Sequence, residues 1–467
     1  MQDSPFEQHH SDLVARDRKV LWHPFASLSA WEREDPPVIA GGEGVWLIDD
    51  RGRRFLDGTA SLWVNILGHR HPALDRALVT QLGAIAHSTF LGATHEPAIR
   101  LAERLVELAP PGLRRVFYSD NGSTAVEVAL KLAFLFQHQR RSRKGAHVPA
   151  TFFSLDRSYH GDTLGAVGVG GIDRFHQVFG PLVHRSVTAP APDCHRCPVG
   201  LSPASCHLEC ADIASRILED HYREILAVIL EPLLQAAGGM IVWPSGYLSK
   251  LAESCRNLDL PLILDEVATG FGRTGTLFAC EQEGVIPDML VLGKGLTGGY
   301  LPLAATIVTE EIYQSVKKDP GTFYHGHSYT ANPLGCQVAL ATLSSLEEEK
   351  VLEAIPPKRE AVREIWKPLE ALPFVVNMRF LGLVAAFDLC HTNGQPLDDP
   401  EEMAIIRDRI RNAGLLLRPL GPTLYLIPPL SISRAEIKRM AGIVVEELQG
   451  LAAGGFFDKN TPHPSSR

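Results

Sequence analysis

Two charged residues follow short apolar runs near the middle of the chain. Asp265 comes directly after Leu260–Leu264, and Lys294 comes soon after Met289–Leu292. Such runs fit strands buried on both faces of a parallel sheet, and ligands bind beyond the carboxyl ends of such strands. A lysine at that edge can condense with a carbonyl compound, and an acid can keep a ring nitrogen protonated. The sequence GFGRTG between the two residues predicts a glycine-rich loop.

An acid and a lysine placed in this way suit pyridoxal phosphate (PLP). An isolated Asp and Lys could equally form an ordinary salt bridge, so the pair alone does not fix a function. The longer strings LILDEVATGFGRTG and LGKGLTGGYLP, however, resemble the active-site signature of the class III (ornithine-type) PLP-dependent aminotransferases. The resemblance extends from about residue 21 to residue 450.

This resemblance implies an α/β protein of the PLP-dependent transferase fold type I. The expected large domain has a mostly parallel sheet, and a smaller α+β domain is built from both chain ends. We expect residues 1–68 and 343–467 in the small domain and residues 69–342 in the large, PLP-binding domain. The length of 467 residues agrees with two domains.

Further motifs supply the expected cofactor site. A turn before a long helical pattern contains Gly122 and Ser123. Backbone N–H groups at a helix start can bind an anion, although such a turn can also be a helix cap without a ligand. The resemblance assigns these two residues to the PLP phosphate. It also implies that Tyr159, in SYHGDT, stacks on the cofactor ring and that Gln235 lies near the phenolic oxygen.

A loop with the sequence TFYHGHSYTANPLGC follows Lys294. In the resembling family this loop crosses a dimer interface, and its hydroxyl completes the phosphate site of the neighbouring subunit. The hydroxyl falls on Ser328 here, with Gly326 and His327 beside it. The resemblance therefore implies a homodimer with shared active sites.

The expected substrate pocket combines residues from distant parts of the sequence. Phe25 lies in LWHPF, Leu62 and Trp63 lie in SLW, and Arg418 lies in RPLG. Trp63 could instead be core between the domains, and Arg418 could be an ordinary solvated arginine; the resemblance assigns Arg418 to the substrate carboxylate. The expected substrate contacts also include Tyr159, Lys294 and Gly326.

Lys294, Asp265 and Tyr159 are the expected catalytic residues, with Lys294 moving a proton and Asp265 holding the ring nitrogen protonated. The resemblance implies amination of 8-amino-7-oxononanoate to 7,8-diaminononanoate in biotin biosynthesis, with S-adenosylmethionine or lysine as the amine donor. Leu62 occupies a position where adenosylmethionine users carry an aromatic residue, and His327 lies in a more polar loop, so we expect lysine.

Three other functions agree with parts of the pattern. Another ω-amino-acid aminotransferase would share every cofactor residue, and a PLP-dependent decarboxylase or aminomutase would share the core motifs. An inactive scaffold that carries a metal-bound interaction module is the third. Four intact residues argue against an inactive scaffold: Ser123, Tyr159, Asp265 and Lys294.

Four cysteines in DCHRCPVGLSPASCHLEC have the spacing C-x2-C-x8-C-x3-C: Cys194, Cys197, Cys206 and Cys210. Paired thiolates could hold a structural zinc ion, although the same stretch could be a loop with free thiols. The transfer of an amino group by PLP needs no metal, so we expect no catalytic metal.

Composition narrows the class of protein further. A net charge of −9 without a dense basic block argues against a nucleic-acid partner. No apolar run approaches the ~18 residues of a membrane helix, and the N-terminus lacks a hydrophobic segment, so a cytoplasmic protein is expected. We expect strands at Val38–Leu47 and Arg53–Phe55, a frayed start in residues 1–19, and a disordered tail in residues 454–467.

Overall fold

The apolar runs before Asp265 and Lys294 lie side by side at the centre of one large sheet. They form β10 and β11 in a computed structural model that describes residues 5–142, 148–202 and 204–458. The strands are β1 (Ile39–Glu43), β2 (Trp46–Asp49), β3 (Arg54–Asp57), β4 (Leu113–Ser119), β5 (Thr151–Leu155), β6 (Val187–Ala189), β7 (Ile225–Leu230), β8 (Leu234–Gln235), β9 (Ile241–Val242), β10 (Leu262–Asp265), β11 (Met289–Leu292), β12 (Ala304–Thr309), β13 (Val375–Leu381), β14 (Val384–Leu389), β15 (Leu415–Leu416) and β16 (Thr423–Leu426).

The central sheet has seven strands in the order β4-β12-β11-β10-β7-β5-β6. Its strands are parallel except β12, which pairs antiparallel with both β11 and β4. All residues of β7, β10 and β11 are buried, because helices cover both faces of the sheet. Alternate side chains of one strand therefore enter different cores: Ile263 packs on one face and Leu264 on the other.

The helices lie around this sheet and at the two ends of the chain. Their bounds are α1 (Pro5–Val20), α2 (Leu28–Trp31), the single turn α3 (Ala60–Trp63), α4 (Pro72–Ala84), α5 (Glu96–Leu108), α6 (Gly122–Ser142), α7 (Leu164–Val169), α8 (Asp173–His176), α9 (Glu209–His221), α10 (Tyr247–Asn257), α11 (Glu310–Lys318), α12 (Pro333–Glu348), α13 (Ile355–Trp366), α14 (Pro400–Asn412) and α15 (Arg434–Ala453). None of the helices in the described ranges is long and apolar enough to span a membrane.

Two smaller sheets bring distant parts of the sequence together. One has the order β1-β2-β3-β15, so residues near the start of the chain pair with Leu415–Leu416. The other has the order β13-β14-β16. The fold is thus α/β with a mixed central sheet, as the sequence predicted. The domain boundaries at residues 68 and 342 stay a prediction.

The N-terminal part of the chain is more regular than expected. Pro5–Val20 is helical, and the side chain of His10 holds this helix by contacts with both Asp35 (2.8 Å) and Asp50 (3.0 Å). The first four residues of the expected frayed start lie outside the described residues. The expected strand Val38–Leu47 is two strands, because Gly44 turns the chain with φ +56°.

The tail is also more ordered than its polar composition suggested. Phe457 is buried, and its ring stacks on Phe374 with centroids 3.8 Å apart. This contact holds the segment up to residue 458 against the fold. The rest of the expected disordered tail, residues 459–467, lies outside the described residues.

Candidate active site

A cavity of about 730 Å³ opens at the carboxyl ends of the central strands. Six of the predicted site residues line it: Trp63, Gly122, Ser123, Tyr159, Asp265 and Lys294. They come from separate elements, so the sheet and the start of α6 bring them together. Other residues that were not predicted from the sequence also line the cavity, among them His160, Thr163 and Glu231.

Asp265 is the last residue of β10, and both of its carboxylate oxygens are held in place. Nδ1 of His160 donates to Oδ2 at 2.7 Å, and the backbone N–H of Val267 donates to Oδ1 at 3.0 Å. His160 is buried and Val267 is half-buried, so water competes little for the bond to His160. His160 therefore fixes the orientation of the acid, and its position next to Tyr159 in SYHGDT was a signal that could have identified it.

Lys294 lies at the start of the turn after β11 and has φ +39°. Its Nζ lies 5.3 Å from the centroid of the Trp63 ring. Burial lowers the pKa of this lysine, although the carboxylates of Asp265, Glu231 and Asp162 act in the opposite direction. A lowered pKa enlarges the fraction of neutral amine, which is the form that acts as a nucleophile or base.

Glu231 is a third buried carboxyl group at this edge of the sheet. It follows β7, and it accepts hydrogen bonds from the backbone N–H groups of Tyr159 (2.9 Å) and Ala236 (3.2 Å). Burial raises the pKa of Glu231 to about 7, with nearby Asp265 adding to the rise. The position of Glu231 directly after an apolar strand was the same signal that pointed to Asp265.

The start of α6 forms a cradle with the SYHGDT loop. Ser123 Oγ accepts from the backbone N–H of Thr163 at 3.1 Å and lies 2.9 Å from the Thr163 hydroxyl. A Cβ atom on Gly161 would approach Ser123 Oγ to 2.3 Å, and one on Gly122 would approach a methyl group of Val267 to 2.6 Å. There is therefore no room for a larger side chain at either position. The start of α6 also has no side chain at Gly122, so a small anion can approach its backbone N–H groups closely.

A left-handed turn carries two predicted pocket residues. All four residues of α3 have positive φ: Ala60 (47°), Ser61 (47°), Leu62 (69°) and Trp63 (69°). Non-glycine residues in this conformation cost about 1–2 kcal/mol each, so other contacts must hold the turn. Asp57 does so, because its carboxylate accepts from the N–H (2.9 Å) and the hydroxyl (2.7 Å) of Ser61.

The turn directs its side chains to different places. Trp63 is buried against Lys294 and lines the inner cavity, whereas Leu62 is exposed and lines a second cavity of about 560 Å³. We call the second cavity the outer chamber. Its other lining residues include His23, Phe25, Trp31, Glu34, Arg174, Asp398, Arg407 and Arg418.

Aromatic rings connect the outer chamber with the inner cavity. Phe25 makes an edge contact with Phe175, with centroids 5.3 Å apart, and Phe175 makes one with Tyr159 at 6.3 Å. The Tyr159 hydroxyl donates to Asp162 at 2.7 Å, which fixes the ring at the wall of the inner cavity. Arg418 Cζ lies 5.2 Å from the Phe25 centroid. The predicted substrate residues Phe25, Leu62 and Arg418 thus share one chamber.

Four predicted site residues do not line either cavity. Gln235 is buried, and its amide nitrogen donates to the carbonyl of Asp156 at 2.8 Å; its expected place near the phenolic oxygen stays a prediction. Gly326, His327 and Ser328 lie in the segment between α11 and α12, where Gly326 and Ser328 are exposed. Their role at a neighbouring subunit stays a prediction.

The four cysteines of residues 194–210 form no disulfide, and the structural zinc site that their spacing allows stays a prediction. Within residues 5–142, 148–202 and 204–458, no group of three or more His, Cys, Asp or Glu side chains is arranged to hold a metal ion. Burial raises the pKa of Cys210 to about 11 and also raises that of Cys194.

The inner cavity fits PLP. In the described part of the chain, Lys294 forms no ion pair and the buried Nε2 of His160 has no hydrogen-bond partner. The cavity provides an amine for the aldehyde, a carboxylate for the ring nitrogen, an aromatic wall and a helix start for the phosphate.

Comparisons with known proteins agree with this geometry. The family model described as aminotransferase class-III matches residues 28–448. An adenosylmethionine-8-amino-7-oxononanoate aminotransferase from Geobacter sulfurreducens is 47% identical over 429 residues, covering 90% of this chain and 94% of that protein.

Two solved structures extend the similarity to the fold. The crystal structure of the enzyme of the same name from Methanocaldococcus jannaschii has a TM-score of 0.88 at 37% identity and covers 94% of this chain and 99% of its own. An amine transaminase from an uncultivated Pseudomonas species, in a PLP-bound form, has a TM-score of 0.85 at 34% identity and covers 92% and 98%.

The pKa of Glu231 leads to a prediction about stability. The folded protein keeps this carboxyl group protonated up to about pH 7, whereas the unfolded chain releases the proton near its ordinary value of 4.5. The free energy of unfolding therefore falls between these pH values, by on the order of 3 kcal/mol from this group. In Glu231→Gln, whose side chain stays neutral, the free energy of unfolding should fall less over this pH range.

Chemical denaturation of the cofactor-free protein at about pH 5 and about pH 8 measures the difference. Glu103→Gln, at an exposed position on α5, is the matched control and should keep the wild-type pH dependence. An unchanged pH dependence in Glu231→Gln would contradict the raised pKa.

Proposed function

The chain belongs to the class-III aminotransferases, a family of PLP-dependent transaminases, and we propose that it aminates 8-amino-7-oxononanoate to 7,8-diaminononanoate. This reaction is a step of biotin biosynthesis. The observation that carries the proposal is the outer chamber, which Phe175 and Tyr159 connect with the cavity of Lys294 and where Phe25 and Leu62 form an apolar wall beside Arg418. The acceptor has a carbonyl group near one end, an aliphatic chain, and a carboxylate at the other end, in the same order.

PLP is the proposed cofactor, held by Lys294, Asp265, Tyr159, Gly122 and Ser123. When bound, it supplies an electron sink that stabilises negative charge at the substrate carbon. The amide groups at the start of α6 and the Ser123 hydroxyl would bind its phosphate. The oriented carboxylate of Asp265 would pair with its ring nitrogen, and the ring of Tyr159 would pack against the cofactor ring.

Lys294 moves the proton. Its pKa is lowered by burial, so its Nζ can be a neutral amine that accepts a proton from the substrate carbon and would deliver it to a carbon of the cofactor. The side chain of Trp63, 5.3 Å from Nζ, restricts water near this atom. His160 acts through Asp265, because its hydrogen bond keeps the carboxylate in one orientation.

Lysine is the proposed amine donor. When the ε-amine of a substrate lysine lies beside Lys294, the carboxylate of that substrate extends toward the outer chamber and meets arginines there. S-adenosylmethionine reacts through its α-amine, so its sulfonium cation would extend toward the same arginines and be repelled. Leu62 also offers no aromatic face for an adenine or a sulfonium. The relatives' names carry adenosylmethionine, which makes it the competing donor.

A second candidate is an amine or ω-amino-acid transaminase with another acceptor. The similarity to the amine transaminase from a Pseudomonas species favours it, because the two chains share the fold over almost their whole length. Such an enzyme would have the same cofactor site and differ only in the outer chamber.

We also include in the proposal a homodimer with shared active sites. Ser328 is exposed and does not line the cavity that contains Lys294 of its own chain. This position suits a hydroxyl that reaches the phosphate site of a neighbouring subunit.

Borohydride reduction of the holoenzyme should attach the pyridoxyl group to Lys294, as identified by peptide mapping. Lys294→Ala should abolish turnover and keep the wild-type circular dichroism spectrum, because the side chain lies in a cavity and forms no ion pair among the described residues. Lys250→Ala, which removes an ion pair with Asp212 on the surface of the molecule, is the control and should retain activity. A label on another lysine would contradict the assignment.

The donor can be identified from half-reactions of the PLP form. Lysine alone should convert the absorbance of the cofactor to that of its amine form, and 8-amino-7-oxononanoate should then restore the original spectrum. Conversion by S-adenosylmethionine and not by lysine would contradict the proposal that lysine is the amine donor. Restoration by other oxo acids but not by 8-amino-7-oxononanoate would favour the second candidate function.

Hybrid dimers test the shared sites. Lys294→Ala subunits and Ser328→Glu subunits should each be inactive, the latter because a carboxylate repels the phosphate. Random mixing should restore roughly one quarter of the wild-type activity, since half of the dimers are hybrids with one complete site. Absence of restored activity in mixtures shown to contain hybrids would contradict shared sites.

A further inference from the structure

The outer chamber is lined by more arginine side chains than its ion pairs neutralise. Three arginines line it together with two acids. Arg407 is paired with Glu34, with Nη2 and Oε1 3.0 Å apart. The other two arginines, Arg174 and Arg418, form no ion pair or hydrogen bond with any residue in the described ranges.

Arg174 and Arg418 both line the outer chamber. Arg418 Cζ lies 5.2 Å from the centroid of Phe25. Arg174 precedes Phe175, whose ring makes an edge contact with Phe25 at 5.3 Å. The short helix α8 therefore holds Arg174 at the chamber that Arg418 enters from the turn after β15. Arg174 itself is exposed, so a ligand can reach its guanidinium group.

The position of this pair relative to Lys294 indicates which part of a ligand it would meet. Phe175 also contacts Tyr159, and Tyr159 lines the inner cavity. A long substrate whose reacting carbon lies near Lys294 therefore has its remote end in the outer chamber. Two guanidinium groups without acidic partners favour a carboxylate at that end, because each can donate two parallel hydrogen bonds to it.

We infer that Arg174 is a second binding residue for the remote carboxylate of the substrate, acting together with Arg418. The inference rests on the proposed function, because it names the carboxylate of 8-amino-7-oxononanoate as the bound group. Arg174 sets specificity in this arrangement. It selects acids over neutral molecules of the same length and takes no part in the movement of protons at Lys294.

Binding to the holoenzyme tests the inference by calorimetry, with 8-amino-7-oxononanoate and its methyl ester as the two ligands. Arg174→Met keeps most of the aliphatic stem and removes the charge. It should weaken binding of the acid by about tenfold and leave binding of the ester unchanged. Arg174→Lys should recover most of the lost affinity. Arg216→Met, at an arginine on α9 that does not line either cavity, should bind both ligands as the wild type does.

The outcomes separate this inference from the proposed function. Equal affinity of wild type and Arg174→Met for the acid, or equal weakening of acid and ester, overturns the role of Arg174 and leaves the proposed function in place. Failure of the wild type to bind the acid overturns the proposed function, and the inference with it. Selective weakening of the acid with recovery in Arg174→Lys supports both.

Discussion

The site depends on the burial of one amine beside several carboxyl groups at the carboxyl edge of the central sheet. Lys294, Asp265 and Glu231 all lie at strand ends where helices on both faces exclude water. Burial lowers the pKa of the lysine and raises that of Glu231 to about 7, so both groups are less charged than in water. Asp265 is held differently, because His160 and a backbone N–H hold both of its oxygens.

This arrangement explains why the sheet has its composition. A polar group at the end of a strand is buried when the strand is apolar on both faces and both faces are covered by other elements. The strands β7, β10 and β11 are apolar throughout, and the polar residues begin where the strands end. The same sheet therefore provides the core of the protein and the walls of the cavity.

A strained piece of backbone contributes one side chain to each of the two cavities. Four consecutive non-glycine residues, Ala60–Trp63, have positive φ, and Asp57 holds them through Ser61. The turn places Trp63 against the reacting amine and Leu62 in the outer chamber. An ordinary right-handed turn would direct these neighbouring side chains differently. The strained turn therefore allows one side chain to lie beside Lys294 and the next to line the outer chamber.

The sequence by itself determined the fold class, the strand ends that carry Asp265 and Lys294, and six of the residues that line the inner cavity. It could do so because apolar runs and glycine turns are local signals, and because long motifs resemble one family. Only the tertiary structure placed Phe25, Leu62, Arg174 and Arg418 in one chamber, since they are far apart in sequence and no local pattern relates them. The structure also decided the left-handed turn, the helix in residues 5–20 and the burial of Phe457. Each of these depends on contacts with distant residues, which override the local preferences of a polar or flexible stretch.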